Sequence, residues 1–185
     1  MNNSKILLTL VLVSLFSCKS KSTTKQIVVK EEKVSCIPYF DFDKIEHYSI
    51  KIEESGIWKI YEKKRKTVDD KRFIELILKY TPEKIEDTTI LKEIEKSGYI
   101  KRSVQLDKFE MLNSIFCEKK HKNSIALSCI AYYRDIVVFK KENKTVGVAK
   151  VCFECSQSII TGTKRNTQEF GQSGDYGRLK KLLYN

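Results

Sequence analysis

Residues 6–16 form an apolar run broken only by Thr9 and Ser14, with Lys5 before it and polar, Lys-rich sequence immediately after it. At about 11 residues the run falls well short of the roughly 20 that a transmembrane helix needs. A positive flank, a short apolar core and a small residue at the end follow the plan of a secretory signal peptide. Residues 1–17 are therefore set aside from the fold, and the remainder is exported. Residues 18–35 show no periodicity that would bury an apolar face, so they read as a tether. Folding falls to residues 36–185, enough for one domain with a hydrophobic core.

The run closes on Leu15-Phe16-Ser17-Cys18, which resembles the bacterial lipobox: an aliphatic residue, a small residue before the cut, and a cysteine whose thiol receives lipid. The resemblance implies a mature chain that begins at a lipidated Cys18 and carries three acyl chains. One chain holds a protein only marginally, at about 0.8 kcal/mol per buried CH₂, whereas several make a stable anchor. By the sorting rules that accompany the resemblance, the lack of Asp after Cys18 points to the outer membrane. Lys19, Lys21 and Lys25 would then face anionic headgroups or simply solvate the spacer.

The formal charge of +11 falls by one when residues 1–17, with their single Lys, are removed. The positive charge lies in mixed runs such as Glu-Lys-Lys-Arg-Lys at 62–66 and Glu-Lys-Lys-His-Lys at 118–122, with no basic helix or interleaved aromatic platform. Such a balance suits anionic lipid, anionic glycan or an envelope protein as partner. Export makes nucleic acid the weakest partner, and none is expected.

Residues 48–52 and 57–61 are β-favouring runs around Glu-Glu-Ser-Gly, which predicts a hairpin. Phe73, Leu76, Ile77 and Tyr80 fall at helical spacing, with Asp69 and Asp70 at the start and Pro82 beyond the end, which predicts a helix. Ile90, Leu91 and Ile94 repeat the pattern with Thr88 as cap and Gly98 as stop, and Leu106, Phe109, Leu112 and Phe116 make a third stripe. From Ile125 the period becomes strand-like: residues 125–133, 135–141 and 144–153 predict an antiparallel meander, the last two joined by Glu142-Asn143, with 158–163 as a further edge strand. Residues 178–184 predict a C-terminal helix capped by Ser173 or Asp175. The sum is an α+β fold: a small antiparallel sheet, made of a C-terminal meander and an N-terminal hairpin, packed with about three to four helices.

Gly171, Gly174 and Gly177 do not match the dinucleotide or P-loop patterns, and Asp41 and Asp43 lack the glycine of a calcium loop. His47 and His121, the only histidines, are too far apart in sequence to argue a constellation, and no nucleophile elbow is present.

The cysteines are the main candidates for chemistry. With Cys18 assigned to lipid, an odd number remains, and Cys36, alone near the tether, is the expected unpaired one. Cys117, Cys129, Cys152 and Cys155 admit three disulfide connectivities, and an exported chain meets a compartment where disulfides persist. The alternatives are a structural zinc site, with Cys152 and Cys155 joined by Cys129 and either Cys117 or His121, and a thiol–disulfide active site. The second lacks the helix that usually follows a redox Cys-x-x-Cys.

The order Cys129-x(4)-Arg-Asp-Ile-Val-Val-Phe, then Val-Cys-Phe-Glu-Cys, then Phe-Gly-Gln-Ser-Gly-Asp-Tyr resembles small lipoproteins of Bacteroidota. Cys129, Cys152 and Cys155 are the motif positions. The resemblance implies an α+β domain and cysteines that act together, and it brings no activity with it. The expected function is a membrane-anchored envelope lipoprotein, a non-enzymatic binding or structural module without cofactor. The alternative is a metal- or thiol-dependent enzyme built on Cys129, Cys152 and Cys155.

Overall fold

The alternating residues of the C-terminal strands serve two cores at once. In the computed structural model, which describes residues 36–86, 89–121 and 128–185, the first half of the domain holds β1 (Ile37–Pro38), β2 (Lys44–Ser49), α1 (Glu54–Tyr61), α2 (Val68–Leu78), α3 (Thr89–Glu93) and β3 (Ile100–Ser103). Then come α4 (Phe109–Ile115), β4 (Cys117–Glu118), β5 (Asp135–Lys141), β6 (Lys144–Cys152), β7 (Gln157–Thr161) and α5 (Asp175–Tyr184). Five strands form an antiparallel sheet in the order β3-β2-β5-β6-β7, and β1 pairs with β4 in a separate ladder.

Successive strand residues point to opposite faces. On one face Ile45, Val137, Phe139, Ala149 and Val151 meet Leu112 of α4 and Leu179 of α5. On the other, Tyr48, Ile136, Val138 and Val148 meet Leu76 of α2 together with Ile94 and Tyr99. Helices thus cover both faces, and this is why β5 is a near-continuous apolar run. α1 packs on α2 through Ile57, Phe73, Ile74 and Ile77. The predicted α+β architecture is what the chain adopts, and Val34–Asn185 forms one compact unit.

Local chemistry sets several boundaries. Thr67 and Asp70 close a reciprocal capping box at the start of α2, satisfying two otherwise orphaned amides. Gly98, at φ 86°, ends a 3₁₀ turn by taking the left-handed conformation that costs glycine least. The cap expected at Thr88 lies outside the described residues. The two-residue turn between β5 and β6 holds Glu142 and Asn143 at φ 50° and 62°, the mirror-type turn whose twist suits a hairpin.

Three expectations are corrected. The hairpin over 48–61 is absent, because β2 ends at Ser49 and the second run is helix α1. Ile57 and Ile60 are one helical turn apart, and both pack on α2, which outweighs their β propensity. The described part of 125–133 is not a strand either: Tyr132 and Tyr133 are both buried, and the Tyr133 amide donates to the Ile77 carbonyl of α2 instead of a ladder. The observed meander is β5-β6-β7. Finally, α5 begins behind Gly174 with no side-chain cap, because Asp175 turns back to accept from the Gly171 amide and to pair with Lys119 and Arg178.

Candidate functional site

The described cysteines divide between two places, Cys129, Cys152 and Cys155 at one and Cys36 with Cys117 at the other. Cys18 lies outside the described residues. Cys36, expected to be unpaired, forms a disulfide with Cys117, because β1 runs antiparallel to β4 with Pro38 opposite Cys117. Cys129 pairs with Cys155, and Cys152 is the free thiol among the described residues. Cys117 is therefore committed elsewhere, and His121 Nε2 lies 3.2 Å from Ser173 Oγ. Among the described residues no group of three or more His, Cys, Asp or Glu is placed to hold a metal ion. Cys152 sits with Cys155 and Tyr133 in a buried cluster. Burial pushes its thiol pKa up, the opposite of what nucleophilic activation requires.

Several buried charges serve the architecture. Burial alone would raise the Glu46 carboxyl, but hydrogen bonds from Lys140, Lys101 and Tyr48 outweigh it and hold the group at about 2. Asp175 is neutralised by Lys119 and Arg178. Each of these carboxylates has its partners within the fold.

His47 is different. The side chain is 1% exposed, on the sheet face that α5 covers. Antiparallel register sets His47 opposite Val137, so Asp135 is its diagonal neighbour on the same face, within reach of a ring. The His47 Nε2 lies 2.7 Å from Asp135 Oδ1. A carboxylate only accepts, so Nε2 carries the proton and donates. Tyr184, at the end of α5, donates to the same oxygen at 2.5 Å, and its ring meets the imidazole edge-on at 5.3 Å. Burial, seconded by Asp135, pushes the Tyr184 phenol well above its ordinary value, which keeps it a donor.

With Nε2 taken, Nδ1 is the ring nitrogen left over, an acceptor in a neutral imidazole and a donor in a charged one. That atom is buried and has no hydrogen-bond partner. An unpaired buried donor or acceptor costs about 1–3 kcal/mol. The ring lines a cavity of about 350 Å³ together with Arg102, Gln105, Lys108, Leu182 and Tyr184. Arg102 stands opposite His47 on β3 and donates to Ser49 Oγ at 2.7 Å, while Lys108 fastens the cavity wall by donating to the Leu182 carbonyl.

The arrangement brings together an oriented imidazole, one guanidinium and one phenol. A histidine held by a carboxylate is also the geometry of a general base. Ser49 bonds Arg102, and neither it nor Ser103 of the cavity wall is hydrogen-bonded to a nitrogen of His47, so no serine is lined up on it.

The sequence held no sign of this site, because His47 and Asp135 are 88 residues apart and each stands in an ordinary strand run. The chain matches no family model, no curated protein and no solved structure.

Proposed function

We propose that the chain is an exported lipoprotein, anchored through Cys18 in the outer membrane, whose domain is a non-enzymatic binding module with the His47 cavity as its ligand site. Two disulfides, across 81 and 26 residues of sequence, support export, since such bonds persist in oxidising compartments. The observation that carries the binding reading is a cavity of about 350 Å³ lined by Arg102 and by His47, whose buried Nδ1 has no partner. A ligand with a hydroxyl for Nδ1 and a carboxylate for the guanidinium satisfies both, and an acidic sugar of an envelope glycan has both groups. Arg reads carboxylates through paired N–H donors.

The test has two arms. In cells, Cys18→Ser should release the protein from the membrane fraction, and an unchanged membrane fraction overturns the anchor. In solution, titrating a short galacturonate oligomer into the domain should move the His47 imidazole nitrogen resonances. Arg102→Gln should weaken that binding tenfold or more. Unmoved His47 resonances at millimolar oligomer overturn the ligand class.

A further inference from the structure

The helix that replaces the predicted hairpin strand creates a surface the sequence did not suggest. On α1, Trp58 and Tyr61 are three residues apart, which puts them on one face, and their rings meet edge-on at 5.2 Å. Ile57 takes the core position, so this aromatic pair is turned away from it. Tyr61 is 46% exposed, and Val68, at the start of α2, is 62% exposed. Between them runs the connection 62–67, with Lys63, Lys64, Arg65 and Lys66 in succession. A strand would have alternated these side chains between two faces. The helix and its connection collect aromatic, aliphatic and cationic groups at one end of the α1–α2 pair.

The fold satisfies only some of these charges. Lys63 pairs with Asp70 at 2.7 Å. Lys66 lies 5.6 Å over the Tyr61 ring and donates to the Lys63 carbonyl, so one cation is already seated on the aromatic group. Lys59, Lys64 and Arg65 are exposed and form no ion pair among the described residues. Against them stand exposed Glu62 and Glu54, which accepts from Trp58 Nε1, while Asp69 is paired with Arg72, so the patch keeps a positive excess around Tyr61 and Val68.

We propose that this patch rests on an anionic phospholipid surface. The inference builds on the lipid-anchored reading, in which Cys18 keeps the domain attached beside the bilayer. Trp and Tyr favour the headgroup boundary, where one part of the ring is apolar and the other wet. Each Lys or Arg near an anionic leaflet adds about 1 kcal/mol. Val68 favours lipid over a glycan, because only a bilayer offers an apolar phase for an exposed aliphatic side chain.

Trp58 is the only tryptophan in the chain, so its emission reports on the patch directly. The experiment uses a chain beginning at Val34, which is a compact unit by itself and lacks both Cys18 and the tether lysines. Binding is therefore independent of the anchor, whose failure would show only in the Cys18→Ser cell fractionation. With vesicles of phosphatidylglycerol and phosphatidylcholine, the domain should co-sediment and Trp58 emission should shift to the blue. Added salt should reverse the effect, and phosphatidylcholine alone should give none. The double variant Lys64→Gln, Arg65→Gln, both exposed and outside the core, should weaken binding roughly thirtyfold, and Val68→Ser should reduce the blue shift. Unchanged emission with anionic vesicles, or equal binding to neutral ones, overturns the proposal. So does a shift produced by soluble galacturonate oligomer and not by vesicles, which would assign the patch to a glycan.

Discussion

Lys150 Nζ donates to the Lys79 carbonyl at 2.5 Å, reaching from β6 to the residue that ends α2. It also donates to the Glu75 carbonyl and lies 5.0 Å over the Tyr133 ring. The last turn of α2 has no basic residue of its own, so the donor that satisfies its C-terminal carbonyls comes from the sheet. The same side chain is 1% exposed. Burial pushes the ammonium from 10.5 down to about 7, with Glu75 opposing the shift.

The pH dependence follows from that value. A base whose folded value is depressed holds its proton more readily in the unfolded chain between the two values. Unfolding therefore takes up a proton from about pH 7 to 10.5, and stability rises with pH across that window, while below it this group adds no slope and the cost of its buried charge is fully present. Between pH 7 and 9 the gain should be on the order of 2 kcal/mol. Urea denaturation at both pH values reads it, and Lys150→Met should remove the slope whatever it does to absolute stability. A wild-type curve that is flat, or that falls with pH, rules out a strongly depressed Lys150.

The two disulfides should differ in worth. On chain-entropy grounds a bridge across 81 residues contributes roughly 4.5 kcal/mol and one across 26 residues roughly 3.5 kcal/mol, before native strain is counted. The pair Cys36→Ala, Cys117→Ala should lower the thermal midpoint more than the pair Cys129→Ala, Cys155→Ala. Intact mass after alkylation in denaturant without reductant should show a single modified thiol in a chain beginning at Val34, on Cys152. Modification of Cys36 in that preparation would contradict the pairing.

What was legible in the sequence is what neighbours in the chain decide. The stripe Phe73, Leu76, Ile77 and its acidic start gave α2, and the strand-like runs 135–141 and 144–153 around Glu142-Asn143 gave the hairpin of β5 and β6. Misreadings occurred where a distant partner decides. Ile57-Trp58-Lys59-Ile60-Tyr61 has strand composition, and only packing against Phe73 and Ile77 makes it helical. Cys36 looked solitary because Cys117 reaches it through the β1–β4 ladder. The His47 site was invisible for the same reason, since β2, β5 and α5 must all be in place before His47, Asp135 and Tyr184 meet.

Glycine substitutions separate close packing from mere exposure. At Gly147 on β6 a Cβ would overlap the ring of Phe40, which lies 4.7 Å from the ring of Phe139 in the centre of the first core. The absent side chain is thus a seat for Phe40. Gly147→Ala must displace that ring from a close-packed interior, and overpacking of this kind costs about 1–3 kcal/mol. Gly177 lies inside α5, and a methyl group added there would meet nothing within 4 Å. Gly177→Ala replaces the more flexible residue in a helix, which should stabilise by about 0.5–1 kcal/mol. The denaturant midpoint should therefore fall for the first variant and rise for the second with the slope unchanged in both. A Gly147→Ala protein as stable as wild type would mean that Phe40 does not occupy this seat on β6.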